Sequence, residues 1–149
     1  MSPTAADERE AAAAVLRGAG LKVTESRLAV FGAFHPGEHL DADEVHTRVA
    51  VSLPTTSRQA VYGVLGALAE TGLLRKIEPA GSPALYETRV GDNHHHLVCT
   101  GCSTVFDVGC VVGEAACLTP SETHGFRIAV AEVTFWGLCP ECSASAALS

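Results

Sequence analysis

The chain has 149 residues, 47% of them hydrophobic, and a formal net charge of −7, so one ordinary domain or two very small ones can be built from it. Its apolar stretches are short and interrupted, and the opening MSPTAADERE lacks the basic and apolar regions of a secretory signal; no membrane span or leader is expected and the chain reads as cytoplasmic. The acidic balance argues against indiscriminate nucleic-acid binding, but it is uneven: residues 1–86 carry eight basic and ten acidic side chains, residues 87–149 two and seven.

The first half reads as helices. Ala5–Arg17 is alanine-rich, with acids near its start and Gly18 and Gly20 after its end. A second helix is expected over Glu25–Phe34, stopped by His35-Pro36-Gly37. Asp41 with Glu44 three positions on has the pattern of a capping box, opening a third helix that runs to Val51. Ser57 caps a fourth over Arg58–Thr71, in which Val61, Val64, Leu65 and Leu68 form one apolar face. Leu73–Glu78 and Ala84–Thr88 flank Pro79-Ala80-Gly81-Ser82-Pro83 as a hairpin. Helices followed by a hairpin describe a winged helix, whose last helix enters the major groove; an ordinary helical bundle with a hairpin has the same pattern.

The second half changes character. His96–Cys99, Val105–Val108 and Ile128–Trp136 are rich in β-branched and aromatic residues, and Val111–Cys117 reads as a short helix. The expected division is residues 1–86, a joint over 87–91, and a small α+β unit over 92–149 with a disordered small-residue tail from 142. A unit of that size needs a staple or a partner.

The cysteines supply a staple. Cytosolic thiols stay reduced, so six cysteines point to metal or redox chemistry and away from a disulfide framework. Cys99-Thr-Gly-Cys102 and Cys139-Pro-Glu-Cys142 are two CxxC turns, and together they complete the tetrahedral sulfur shell of structural Zn2+. Separate dithiol redox motifs are the competing reading, but neither pair sits on a strand-to-helix pattern of the thioredoxin kind. His94-His95-His96 lies just before the first pair. On a strand, His94 and His96 share one face and His95 takes the other, and with Glu87, Asp92 or Asp107 they suit iron, manganese, nickel or zinc. Cys110 and Cys117 read as core thiols, and His35, His39, His46 and His124 as ordinary polar residues.

Gly20-Leu21-Lys22-Val23-Thr24-Glu25-Ser26-Arg27, Gly37 to Glu44, Ser57-Arg58-Gln59-Ala60-Val61-Tyr62, Asn93 to Cys102 and Trp136 to Cys142 together resemble the ferric uptake regulator family over about residues 9–143. The resemblance is closest to its actinobacterial peroxide-sensing branch. It implies an α+β chain: an N-terminal winged-helix DNA-binding domain, then a small α/β dimerisation and metal-binding domain. It implies a homodimer that binds an inverted-repeat operator in double-stranded DNA. It places a regulatory Fe2+ or Mn2+ on His39, Glu87, His94, His96 and Asp107, which promotes His39 from ordinary to functional. Peroxide-sensing members carry Asp at position 107, so the resemblance implies a repressor of oxidative-stress genes such as a catalase-peroxidase gene. Peroxide would react at the iron, oxidise His39 or His94 and release the DNA.

A third metal site would draw on His95 and Glu114, but Ala131 stands where the family has a histidine, so His124 would have to substitute. Ser57, Arg58, Gln59 and Tyr62 are expected to face the bases, and Arg27 and Lys22 the phosphates. The alternative within the class is a repressor that reports iron, manganese, nickel or zinc concentration and controls metal uptake genes. A zinc hydrolase would need an open zinc beside a general base, and the chain has neither H-x-E nor H-E-x-x-H; an enzyme is not expected.

Overall fold

The computed structural model describes residues 2–88, 94–109, 121–128 and 133–147. They fall into two compact units, Met1–Val90 and Gly91–Ser149.

The first unit is a winged helix. Helix α1 (Ala5–Gly18) starts at a reciprocal cap in which the Thr4 hydroxyl accepts from Asp7 N–H and the Asp7 carboxylate accepts from Thr4 N–H. Helix α2 (Glu25–Gly32) is capped by Thr24 and ends two residues short of expectation; Phe34, beyond its end, is buried in the core. A short strand not foreseen in the sequence, β1 (Leu40–Asp41), leads straight into α3 (Ala42–Ser52), where Asp41 and Glu44 close the expected capping box at 2.8 and 2.9 Å. Helix α4 (Arg58–Glu70) starts on the Ser57 hydroxyl, and Gly72, at φ +80°, turns the chain out of it in a conformation that other residues rarely adopt. Strands β2 (Arg75–Ile77) and β3 (Leu85–Glu87) form the wing, and the sheet order is β1-β3-β2, antiparallel throughout. Glu87, expected in the joint, is the last residue of β3. The core lies between the helices, where Leu16, Val45, Leu65 and Leu68 are fully buried.

The second unit is a three-stranded sheet of order β5-β4-β6, from β4 (His94–Cys99), β5 (Val105–Gly109) and β6 (Thr134–Gly137), followed by α5 (Pro140–Ala147). Strand β5 runs antiparallel to β4, and β6 runs parallel to it. Two expectations are corrected. The strand expected over Ile128–Trp136 is confined, among the described residues, to Thr134–Gly137. The tail expected to be disordered from 142 is helical through Ala147. Pro140 is preset for a first helical turn, Glu141 suits its positive end, and alanines and serines extend it. The helix expected over Val111–Cys117 lies outside the described residues.

Candidate metal centres and nucleic-acid interface

The parallel pairing of β4 with β6 assembles the cysteine site. Cys99 stands opposite Gly137 in register, so both strands deliver their CxxC turns at the same end of the sheet. Thr100 N–H donates to the Gly137 carbonyl at 2.8 Å and locks the two turns together. The four sulfurs lie within 4.8 Å of one another, and Cys102 Sγ is 3.9 Å from Cys139 Sγ. Sulfurs bound to one tetrahedral zinc at about 2.3 Å stand about 3.8 Å apart, so the spacing fits the ion. Backbone amides of Cys139, Cys102 and Gly101 donate to Cys99 Sγ at 3.3 to 3.5 Å. They lower its pKa to about 6, the Cys139 amide most of all. Cys142 is instead pushed up to about 12, chiefly by the Cys139 thiol and then by Cys99 and Cys102. Four thiols this close cannot all ionise on their own; a divalent cation among them lets all four do so. The set is a closed structural-zinc site with no position left for a substrate.

The second set lies on one face of the same sheet. Antiparallel register places His96 opposite Asp107, and the two-residue period of β4 puts His94 on that face too. Asp107 Oδ1 is 3.3 Å from His96 Nε2 and 3.6 Å from His94 Nε2, and the two rings meet edge to face with centroids 4.9 Å apart. All three side chains are at least nine-tenths buried. Two imidazoles and one carboxylate converging this way are donors for Fe2+ or Mn2+. His95 points to the opposite face, where its ring stands edge to face against Phe135 at 6.5 Å.

The first unit carries a buried imidazole–carboxylate pair of its own. Register pairs Leu40 with Tyr86, which brings His39 alongside Glu87, and His39 Nε2 lies 2.8 Å from Glu87 Oε2. The unforeseen strand β1 is therefore what aligns them. The turn before His39 is fastened by Glu38, whose carboxylate accepts two bonds from the Arg48 guanidinium at 2.7 and 2.9 Å and one from His35 N–H at 3.0 Å. Arg48 first, then the His35 amide, holds the Glu38 carboxyl down at about 2. Arg48 also donates to the Ala33 carbonyl at the end of α2. Sequence reasoning missed this clamp, because a Glu and an Arg ten positions apart give no signal until the helices pack.

On α4 the exposed side chains include Arg58, Gln59 and Tyr62, with Ser57 at the cap. Arg58 rests 3.4 Å from Asp43 of α3. Lys22 is exposed, whereas Arg27 donates to the Lys22 carbonyl at 2.8 Å. His124 is at the surface, 3.5 Å from Glu122; Glu114 and Ala131, the other positions bearing on a third metal site, lie outside the described residues. Cys110 and Cys117 lie outside the described residues. No described helix is long and apolar enough to cross a membrane.

A winged helix joined to a unit that carries a four-cysteine site and a His–Asp site defines a metal-regulated DNA-binding protein. A profile of the ferric uptake regulator family matches residues 18–136, and the chain belongs to that family of metal-responsive transcriptional regulators. The chain is 55% identical over 130 residues to the transcriptional regulator FurA of Mycobacterium tuberculosis, covering 87% of this chain and 88% of that one. It is 51% identical over 122 residues to ferric uptake regulation protein 1 of Mycolicibacterium fortuitum, covering 82% and 76%. In fold it is similar to the Helicobacter pylori ferric uptake regulator, with a TM-score of 0.68 at 19% identity over 96% of this chain and 97% of that one. It is also similar to the Campylobacter jejuni peroxide stress regulator, with a TM-score of 0.61 at 21% identity over 89% and 97%.

Proposed function

We propose that the protein is a homodimeric cytoplasmic repressor that binds an inverted-repeat operator when its regulatory site holds Fe2+, and that hydrogen peroxide is its signal. The observation that carries this reading is the convergence of His94, His96 and Asp107 on one buried sheet face. We assign His39 and Glu87 to the same ion, following the family pattern. An ion that draws ligands from both units selects one angle between them, and so favours one spacing of the recognition helices in the dimer. At Fe2+ bound there, the O–O bond of hydrogen peroxide would open; one oxygen would go to the His39 or His94 ring and the other would leave as water, so that peroxide is the oxidant, the imidazole is what is oxidised, and the iron is not consumed.

The zinc among the four cysteines has a different task, holding together the ends of β4 and β6. Leu97, Phe106 and Phe135 share the opposite sheet face and are roughly half exposed, which supports pairing with a second copy through that unit. We assign base contacts to Ser57, Arg58, Gln59 and Tyr62 on α4, and phosphate contacts to Lys22 and Arg27. For Arg58, DNA must compete with Asp43.

The test is to challenge iron-loaded protein with peroxide, then measure operator binding and the mass of its histidine peptides. Loss of binding with one oxygen added to His39 or His94 is expected. Retained binding with unmodified histidines would replace the peroxide signal by the second reading, a sensor of metal concentration that represses uptake genes. The 51% identity to a protein named for ferric uptake regulation favours that second reading.

A further inference from the structure

His46, on the second turn of α3, has no part in either metal set. Its half-buried ring reaches ten residues along the chain, and Nε2 lies 3.0 Å from the Thr56 carbonyl. A carbonyl can only accept, so Nε2 carries the proton and donates. Thr56 immediately precedes Ser57, whose hydroxyl accepts from Ala60 N–H and starts α4. The turn between the helices is closed by Thr56 N–H donating to the Leu53 carbonyl at 3.1 Å. We infer that His46 is a positioning residue for DNA reading: it fixes the start of α4, and through it the placement of Arg58, Gln59 and Tyr62 against base edges. This inference rests on the reading of α4 as the recognition helix.

Packing alone does not do this. Val45 and Val49 of α3 and Val61 and Leu65 of α4 are buried in the same core, which holds the helices together. Apolar contact is non-directional, however, and tolerates a small slide or rotation that a hydrogen bond does not. Among the described residues, the other polar tie between the helices, Arg58 to Asp43, is exposed at both ends and involves a residue that DNA would claim. The His46 bond is half-buried, and its acceptor is a backbone carbonyl.

The test uses full-length, zinc- and Mn2+-loaded protein and a duplex that the wild type selects from a random-sequence pool. Affinities for that duplex and for a scrambled one are read by fluorescence anisotropy over a range of salt. His46→Leu, which keeps bulk and loses the donor, is expected to weaken the selected duplex about five- to tenfold. It should leave the scrambled duplex and the salt slope unchanged. His46→Gln, whose amide nitrogen reaches about as far as Nε2, is expected to return within about twofold of wild type. If His46→Leu does not fold, His46→Asn, whose amide stops short of Thr56, takes its place with the same expectations. Unchanged binding by the donor-less variant overturns the proposal, as does a loss that Gln fails to rescue. So does an equal loss on both duplexes with the slope falling by about one, which would make His46 a phosphate contact. If the wild type enriches no duplex at all, the DNA-regulator reading itself falls, and this proposal with it.

Discussion

Gly101 lies against the cysteine site so closely that a Cβ there would meet Cys142 Sγ at 3.0 Å and Cys142 Cβ at 3.1 Å. Both neighbours are fixed by the CxxC turn and have little room to move. Gly101→Ala is expected to destabilise the second unit by about 1–3 kcal/mol and to speed zinc loss to a chelator. Zinc retention equal to wild type would contradict this. Glu38 offers a test of sign. Its pKa in the folded chain, about 2, lies below the ordinary carboxylate value of 4.5, so the pair with Arg48 contributes stability above that ordinary value. The contribution is lost as pH falls from 4.5 toward 2. In Arg48→Met the first unit should be less stable at neutral pH, and its unfolding midpoint should fall less steeply over that interval. Parallel acid curves for the two proteins would remove the assignment.

At the scale of elements, α4 buries one face in the core and exposes another, to which the proposed function assigns base contacts. Leu65 is fully buried at the centre of the first. Leu65→Ala is expected to lower the stability of the first unit by about 2–5 kcal/mol in urea unfolding. The zinc in the second unit should stay in place. The helices were legible because their signals are local: acids in the first turn of α1, Asp41 with Glu44, and Ser57 before an apolar face each lie within one or two turns. The alternation of His94, His95 and His96 across β4 was legible for the same reason. Strand β1 was not, because two residues have no periodicity and this strand exists only through its pairing with β3. Helix α5 was misjudged because alanines and serines without an apolar stripe resemble a solvated tail. The four-cysteine set could be read from spacing alone. His39 could not: its pairing with Glu87 depends on a strand invisible in the sequence, and only the family resemblance singled it out.

Over the whole molecule, the proposed function separates a metal that holds the fold from a metal that regulates it. Cys99 receives three backbone N–H groups and ends β4, so Cys99→Ser is expected to lose zinc, unfold the second unit and abolish dimerisation. Sedimentation and metal analysis of the variant check this; a folded, zinc-free dimer would contradict it. Asp107 is the middle residue of β5, and its carboxylate faces the two histidines while its backbone makes the ladder. Asp107→Asn should therefore keep the fold, the dimer and the cysteine-bound zinc. The most direct measurement is a titration of zinc-loaded wild type and Asp107→Asn with Fe2+ under anaerobic conditions, followed by operator binding on the same samples. The wild type is expected to bind the operator only as Fe2+ is added, and Asp107→Asn to stay dimeric but fail to respond. Equal operator binding by both proteins, with or without Fe2+, would contradict a regulatory metal at this site.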